Sequence, residues 1–106
     1  MPEAAMVLAL TTEADAERAE SLARHLLESR LAACVALTPI TSVYRWRGSL
    51  ERASEVQLLI KTRADRLEEL ERTVHRLHSY DTPEWLHWPV RAGEGYGGWL
   101  QESCSP

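Results

Sequence analysis

The stretch from Val35 to Thr62 constrains this chain more than any other part of it. Its first arm alternates: Ser42, Tyr44 and Trp46 fall on one side, and Val43, Arg45 and Arg47 on the other. That two-residue period is the mark of a β-strand. The returning arm alternates too, with Val56, Leu58 and Ile60 interleaved with Gln57, Leu59 and Lys61. Gly48-Ser49 lies between the arms and fits a two-residue loop with glycine at its first central position. Pro39 has no amide proton for a sheet ladder, so a bulge or bend is expected in the first arm.

This hairpin is too long for the domain that carries it. A compact chain of 106 residues has a radius of gyration of about 13 Å, hence a diameter of about 33 Å. The first arm at about 3.3 Å per residue reaches about 40 Å. Its tip, with Tyr44 and Trp46 on one face, is therefore expected to overhang. A free hairpin with exposed aromatics is marginal in water. A second copy packed against it is the expected remedy, so the length alone predicts a homo-oligomer with Tyr44 and Trp46 at the interface. The plainer alternative is that both aromatics cover the chain's own sheet.

The flanking segments complete the architecture. Ala5 to Leu10 is a short apolar run, expected as a strand buried on both faces and ended by Thr11 and Thr12. Thr12 with Asp15 resembles a capping box. Ala19, Leu22, Ala23, Leu26, Leu27 and Leu31 then recur at helical spacing. Thr62-Arg63-Ala64-Asp65 repeats that start signal before a second amphipathic segment with Leu67, Leu70, Val74 and Leu77 on its stripe. Trp85 to Val90 reads as a fourth strand. Gly93 to Gly98 reads as a flexible connection before a helical turn with Trp99 and Leu100. The order β-α-β-β-α-β predicts a single α+β domain over residues 1–106: a ferredoxin-like antiparallel sheet with both helices on one face and a short C-terminal helix.

Composition excludes several functions. The formal charge is -4, and the arginines are interspersed with acids; a nucleic-acid partner would need clustered cations. No apolar run approaches a membrane span. The N-terminus lacks the basic and apolar regions of a signal peptide, so a cytoplasmic protein is expected. Cys34 and Cys104 form no C-x-x-C pattern; Cys34 reads as a small buried hydrophobe and Cys104 as part of a mobile terminus.

Catalytic signatures are absent: the sequence has no G-x-S-x-G, H-E-x-x-H or Walker loop. No enzymatic activity is expected, since no paired acid and base or activated nucleophile is visible. His75 and His78, three apart on a helix, could share a metal. Lys61 is the only lysine. As a strand-end lysine it is expected to be tied to a neighbouring acid such as Glu55 or Glu84.

Five blocks, taken in order, resemble a known family. They are Leu31-Ala32-Ala33-Cys34-Val35; Thr41-Ser42-Val43-Tyr44-Arg45-Trp46-Arg47-Gly48; Glu55-Val56-Gln57-Leu58-Leu59-Ile60-Lys61-Thr62; His78-Ser79-Tyr80-Asp81-Thr82-Pro83-Glu84; and Tyr96 with Trp99-Leu100. Together they are similar to the successive motifs of the CutA divalent-cation tolerance proteins. The resemblance implies a ferredoxin-like subunit in a PII-like homotrimer whose long hairpins form inter-subunit sheet. It implies no obligatory cofactor and no catalysis, but binding of copper or another divalent cation, with His78 as the retained metal ligand. It also implies an inter-subunit cleft near Lys61, Glu84, Tyr80 and Glu55, open to a small anionic ligand or a partner protein. The chain departs from the pattern at Thr11, where copper-binding members carry cysteine, and at Leu77, where some carry a second histidine. A threonine hydroxyl and a leucine cannot replace thiolate and imidazole for copper.

Overall fold

The computed structural model describes residues 6–106. The expected element order is observed: β1 (Met6–Glu13), α1 (Ala16–Glu28), β2 (Cys34–Trp46), β3 (Ser49–Arg63), α2 (Leu67–Leu77), β4 (Leu86–Val90) and α3 (Glu94–Ser103). The four strands form one antiparallel sheet in the order β2-β3-β1-β4, the ferredoxin-like arrangement. One face of the sheet takes the helices. Ala9, Val56, Leu58 and Ile60 are buried there against Ala19, Leu22, Ala23, Leu26, Leu70 and Val74. Fully burying each leucine or isoleucine contributes roughly 1.5–3 kcal/mol, which makes this layer the main source of stability. Cross-strand register puts Leu8, Leu10, Leu59, Leu86 and Trp88 together on the opposite face. There Leu86 and Trp88 remain 54% and 40% exposed.

Several local expectations are corrected. β1 continues through Thr11 and Thr12 to Glu13, where the Thr11 hydroxyl lies against His78 and the Glu13 carboxylate accepts from Ser79. Its two faces are unequal, the helix-facing one being the buried one. Ala5 lies outside the described residues. The N-cap of α1 is Asp15, which accepts from the Arg18 amide at 2.8 Å, not Thr12. Thr62 caps nothing: it belongs to β3, and its hydroxyl donates to the Leu31 carbonyl at 2.8 Å. A 3-10 turn, Ala64–Arg66, leads into α2 instead. The strand expected from Trp85 begins at Leu86.

At the C-terminus, Gly95, Gly97 and Gly98 lie inside α3 rather than in a loose connection. Gly97 has a packing reason, since a Cβ there would meet Met6 at 3.3 Å. Cys104 is fully buried, close to the Thr62 hydroxyl, so this terminus is docked rather than mobile. Cys34 is only half-buried.

The hairpin pairs without a bulge from Cys34↔Lys61 to Trp46↔Ser49. The loop is therefore Arg47-Gly48, one residue earlier than expected. Both loop residues have positive φ, 48° and 82°, the pattern of a type I′ turn, whose twist matches the strands. Pro39 needs no bulge because β2 is an edge strand. In a two-residue loop the closing pair, Trp46–Ser49, is hydrogen-bonded. Alternation then turns the backbones of Pro39, Thr41, Val43 and Arg45 to the open edge.

Candidate functional site

β1 pairs with β3 only as far as Val56. Beyond it, seven cross-strand pairs from Ile40↔Glu55 to Trp46↔Ser49 project as a two-stranded ribbon. At about 3.3 Å per residue this is an overhang of about 20 Å. The molecule measures 47 × 25 × 22 Å as a result. The ribbon exposes Val43, Tyr44, Trp46 and Leu50, at 69%, 42%, 49% and 73%. Arg47 lies over the Trp46 ring at 5.5 Å.

The base of the ribbon is tied to the segment between α2 and β4. Tyr80 donates its hydroxyl to Glu55 Oε2 at 2.7 Å. Burial, followed by the bond to Glu55 and that carboxylate's charge, holds the phenol protonated far above its ordinary range. Ribbon and segment enclose a groove of about 960 Å³ whose lining includes Tyr44, Trp46, Glu55, Tyr80, Asp81 and Glu84. The structure thus brings together five of the residues singled out from sequence: Tyr44, Trp46, Glu55, Tyr80 and Glu84. Asp81 was missed. Its only sequence signal is its place inside the motif between Tyr80 and Pro83.

Lys61 is not among them. It sits opposite Cys34 on β3, six residues along the strand from Glu55. Its ammonium donates to the Tyr96 hydroxyl at 3.2 Å and lies 5.5 Å from that ring's centroid. The bond to Tyr96 raises its pKa. The expected pairing with Glu55 or Glu84 is replaced by α3, which brings Tyr96 across the end of the sheet.

His78 is held from all sides, its side chain wholly buried. Its Nε2 lies 2.6 Å from the Thr12 carbonyl oxygen and 3.2 Å from Thr11 Oγ1. A carbonyl only accepts, so Nε2 carries the proton. Nδ1 accepts the Tyr80 amide at 3.0 Å, which assigns the neutral tautomer from its contacts. Both ring nitrogens are thereby engaged inside the fold. His75 is elsewhere: its Nδ1 donates to the Glu71 carbonyl at 2.9 Å and its ring meets Trp85. The two histidines do not share a site, since α2 ends at Leu77 and His78 turns inward from extended backbone.

Glu13, 2% exposed, is a second inward-turned ionisable side chain here. It accepts from the Ala14 amide, the Ser79 amide at 3.0 Å, and the Ser79 hydroxyl. Burial pushes its carboxyl up, but the Ser79 hydroxyl and amide and the Ala14 amide outweigh that and hold it below its ordinary value. Glu13 and His78 therefore fix the segment that shapes the groove. Among the described residues no three histidine, cysteine or acidic side chains converge as a metal-ligand group.

Residues 7–103 match a family model described as the CutA1 divalent ion tolerance protein. The chain belongs to the CutA1 family. It is 46% identical over 99 residues to the divalent-cation tolerance protein CutA of Pectobacterium atrosepticum, covering 92% of this chain and 90% of the relative. Among solved structures it resembles CutA from Synechococcus elongatus (TM-score 0.93, 38% identity, 99% of this chain and 95% of the other). It also resembles the periplasmic divalent cation tolerance protein CutA of Archaeoglobus fulgidus (TM-score 0.91, 35% identity, 94% and 99%). In this CutA1 chain, the position at which the resemblance implies a copper-binding cysteine is Thr11, whose hydroxyl faces His78.

Proposed function

We propose that this CutA1 chain acts in metal-ion tolerance as a non-catalytic, PII-like homotrimer that binds divalent cations, copper among them. The observation that supports assembly is the projecting ribbon. Its outer backbone edge pairs with no strand among the described residues, and its side chains include Val43, Tyr44, Trp46 and Leu50 in water. An edge of this kind pairs readily with another strand, and copies of the chain provide one. Sedimentation at micromolar concentration tests this: three times the 12.0 kDa chain mass is expected, and a monomer overturns it. Calorimetry with copper(II) and zinc(II) tests cation binding; the absence of heat above dilution overturns that part. A cation at His78 has to displace the Tyr80 amide from the ring's one lone pair, which weakens binding there.

The groove supports a second reading, a scaffold whose clefts hold a small ligand or partner protein. Glu55, Asp81 and Glu84 line it against one cation, Arg47, and Lys61 does not, so its net charge favours a cationic group over an anion. A ligand screen read by melting temperature tests it. Free Cys34 and Cys104 suit a reducing, cytoplasmic compartment; the Archaeoglobus relative, by contrast, is described as periplasmic.

A further inference from the structure

We propose that Lys61 and Tyr96 form a clamp for the carboxylate of a small apolar acid, whose hydrocarbon body lies on the open face of the sheet against Leu8 and Trp88. This site lies apart from the acidic groove. It needs neither a bound metal cation nor that groove's ligand.

Two donors stand side by side at this corner. The Lys61 ammonium spends one of its three protons on the Tyr96 hydroxyl at 3.2 Å. Among the described residues it makes no other hydrogen bond and pairs with no carboxylate; the groups that act on its charge are Tyr96 and Cys34. The Tyr96 oxygen accepts that bond, so its own proton is turned elsewhere, and among the described residues nothing takes it. A cationic N–H and a neutral O–H are thus presented together. A carboxylate offers two oxygens side by side, one for each donor, and bonds of this charge-assisted kind are the strong ones. The bond to Tyr96 also raises the pKa of Lys61, so the ammonium stays charged.

The register supplies the apolar floor. Leu8 pairs with Lys61 on one side and with Trp88 on the other. The three side chains therefore stand in one row on the face turned away from α1 and α2. Strand spacing sets Lys61 and Trp88 roughly 10 Å apart, with Leu8 between them, a span that suits one ring or a short chain. At the end of the row, Gly97 lets α3 approach Met6. Tyr96 and Trp99 there lie with ring centroids 5.3 Å apart. Trp88 and Tyr96 are 40% and 46% exposed, so a ligand reaches both from solvent. One cation beside an apolar row matches a single negative charge on an apolar body better than it matches a multiply charged phosphate.

Phenylacetate titration of the full-length protein, followed by calorimetry and by saturation-transfer NMR of the ligand, tests this. Saturable binding is expected. Phenylacetamide, with the same ring but no charge, should bind at least about tenfold more weakly. Lys61→Met keeps the stem and loses the charge; Tyr96→Phe keeps the ring and loses the hydroxyl. Each should weaken phenylacetate by about tenfold or more, and circular dichroism checks that each variant is folded. Equal binding of acid and amide, or undiminished binding in both variants, overturns the clamp. No binding to the wild type overturns the site as a whole, and copper calorimetry reads cation binding independently of either result.

Discussion

The Tyr80 hydroxyl donates to Glu55 across 2.7 Å, and this one bond joins the projecting ribbon to the segment that follows α2. Tyr80 is also linked through its amide to His78, and His78 to the Thr12 carbonyl. A chain of hydrogen bonds thus runs from the end of β1 to the base of the ribbon. Removing the hydroxyl with Tyr80→Phe should cost about 1.5–3 kcal/mol, the range of a bond to a charged acceptor. Urea denaturation of the variant gives the value. An unchanged midpoint would mean that the ribbon is not held by this contact.

His78→Ala should cost more, about 2–4 kcal/mol. It opens a cavity and strips a donor from the Thr12 carbonyl and an acceptor from the Tyr80 amide. Loss of metal binding without loss of stability would contradict the structural part assigned to this imidazole. The same denaturation series, with and without copper, separates the two effects.

Glu13 makes stability depend on acid. Its folded carboxyl binds a proton less readily than the ordinary value of 4.5, so the unfolded chain takes up the proton first as pH falls. The stabilisation is complete above that value and is lost as pH drops through the lower, folded one. Glu13→Gln should flatten the dependence of melting temperature on pH below about pH 5. Parallel curves for the two proteins would remove Glu13 as the cause.

The position of the hairpin loop is open to test. Arg47 holds φ at 48°, which costs a side chain with a Cβ about 1 kcal/mol and costs asparagine less. Arg47→Asn should therefore raise stability by a few tenths to about 1 kcal/mol. A loop centred on Gly48-Ser49 would show no such gain.

Trp46→Ala should weaken self-association, since a buried tryptophan at an interface carries about 2 kcal/mol or more. Sedimentation over a dilution series should find dissociation at higher concentration than for the wild type. Identical profiles would place the contact elsewhere on the chain.

Alternation alone located both arms of the hairpin to within a residue, because a two-residue period leaves strands few other readings. Helical spacing did the same for the face of α1 that carries Leu22 and Leu26. The overhang was also legible, as simple geometry of length against domain size. Local signals misled where a side chain had a distant partner. Thr62 looks like a cap but bonds to Leu31, Cys104 looks terminal but is buried beside Thr62, and the glycines of α3 look loose but one lets the helix close on Met6.

The sequence by itself determined the strand and helix order, the excess length of the hairpin, and five residues of the groove. Tertiary structure alone decided which polar side chains meet. Lys61 went to Tyr96, His78 turned inward to Thr12 and Tyr80, and His75 turned to Trp85. The physical reason is that periodicity sets which face a residue takes, whereas a hydrogen bond needs two atoms within about 3 Å. For residues far apart in the chain, only the packing of helices on the sheet sets that distance.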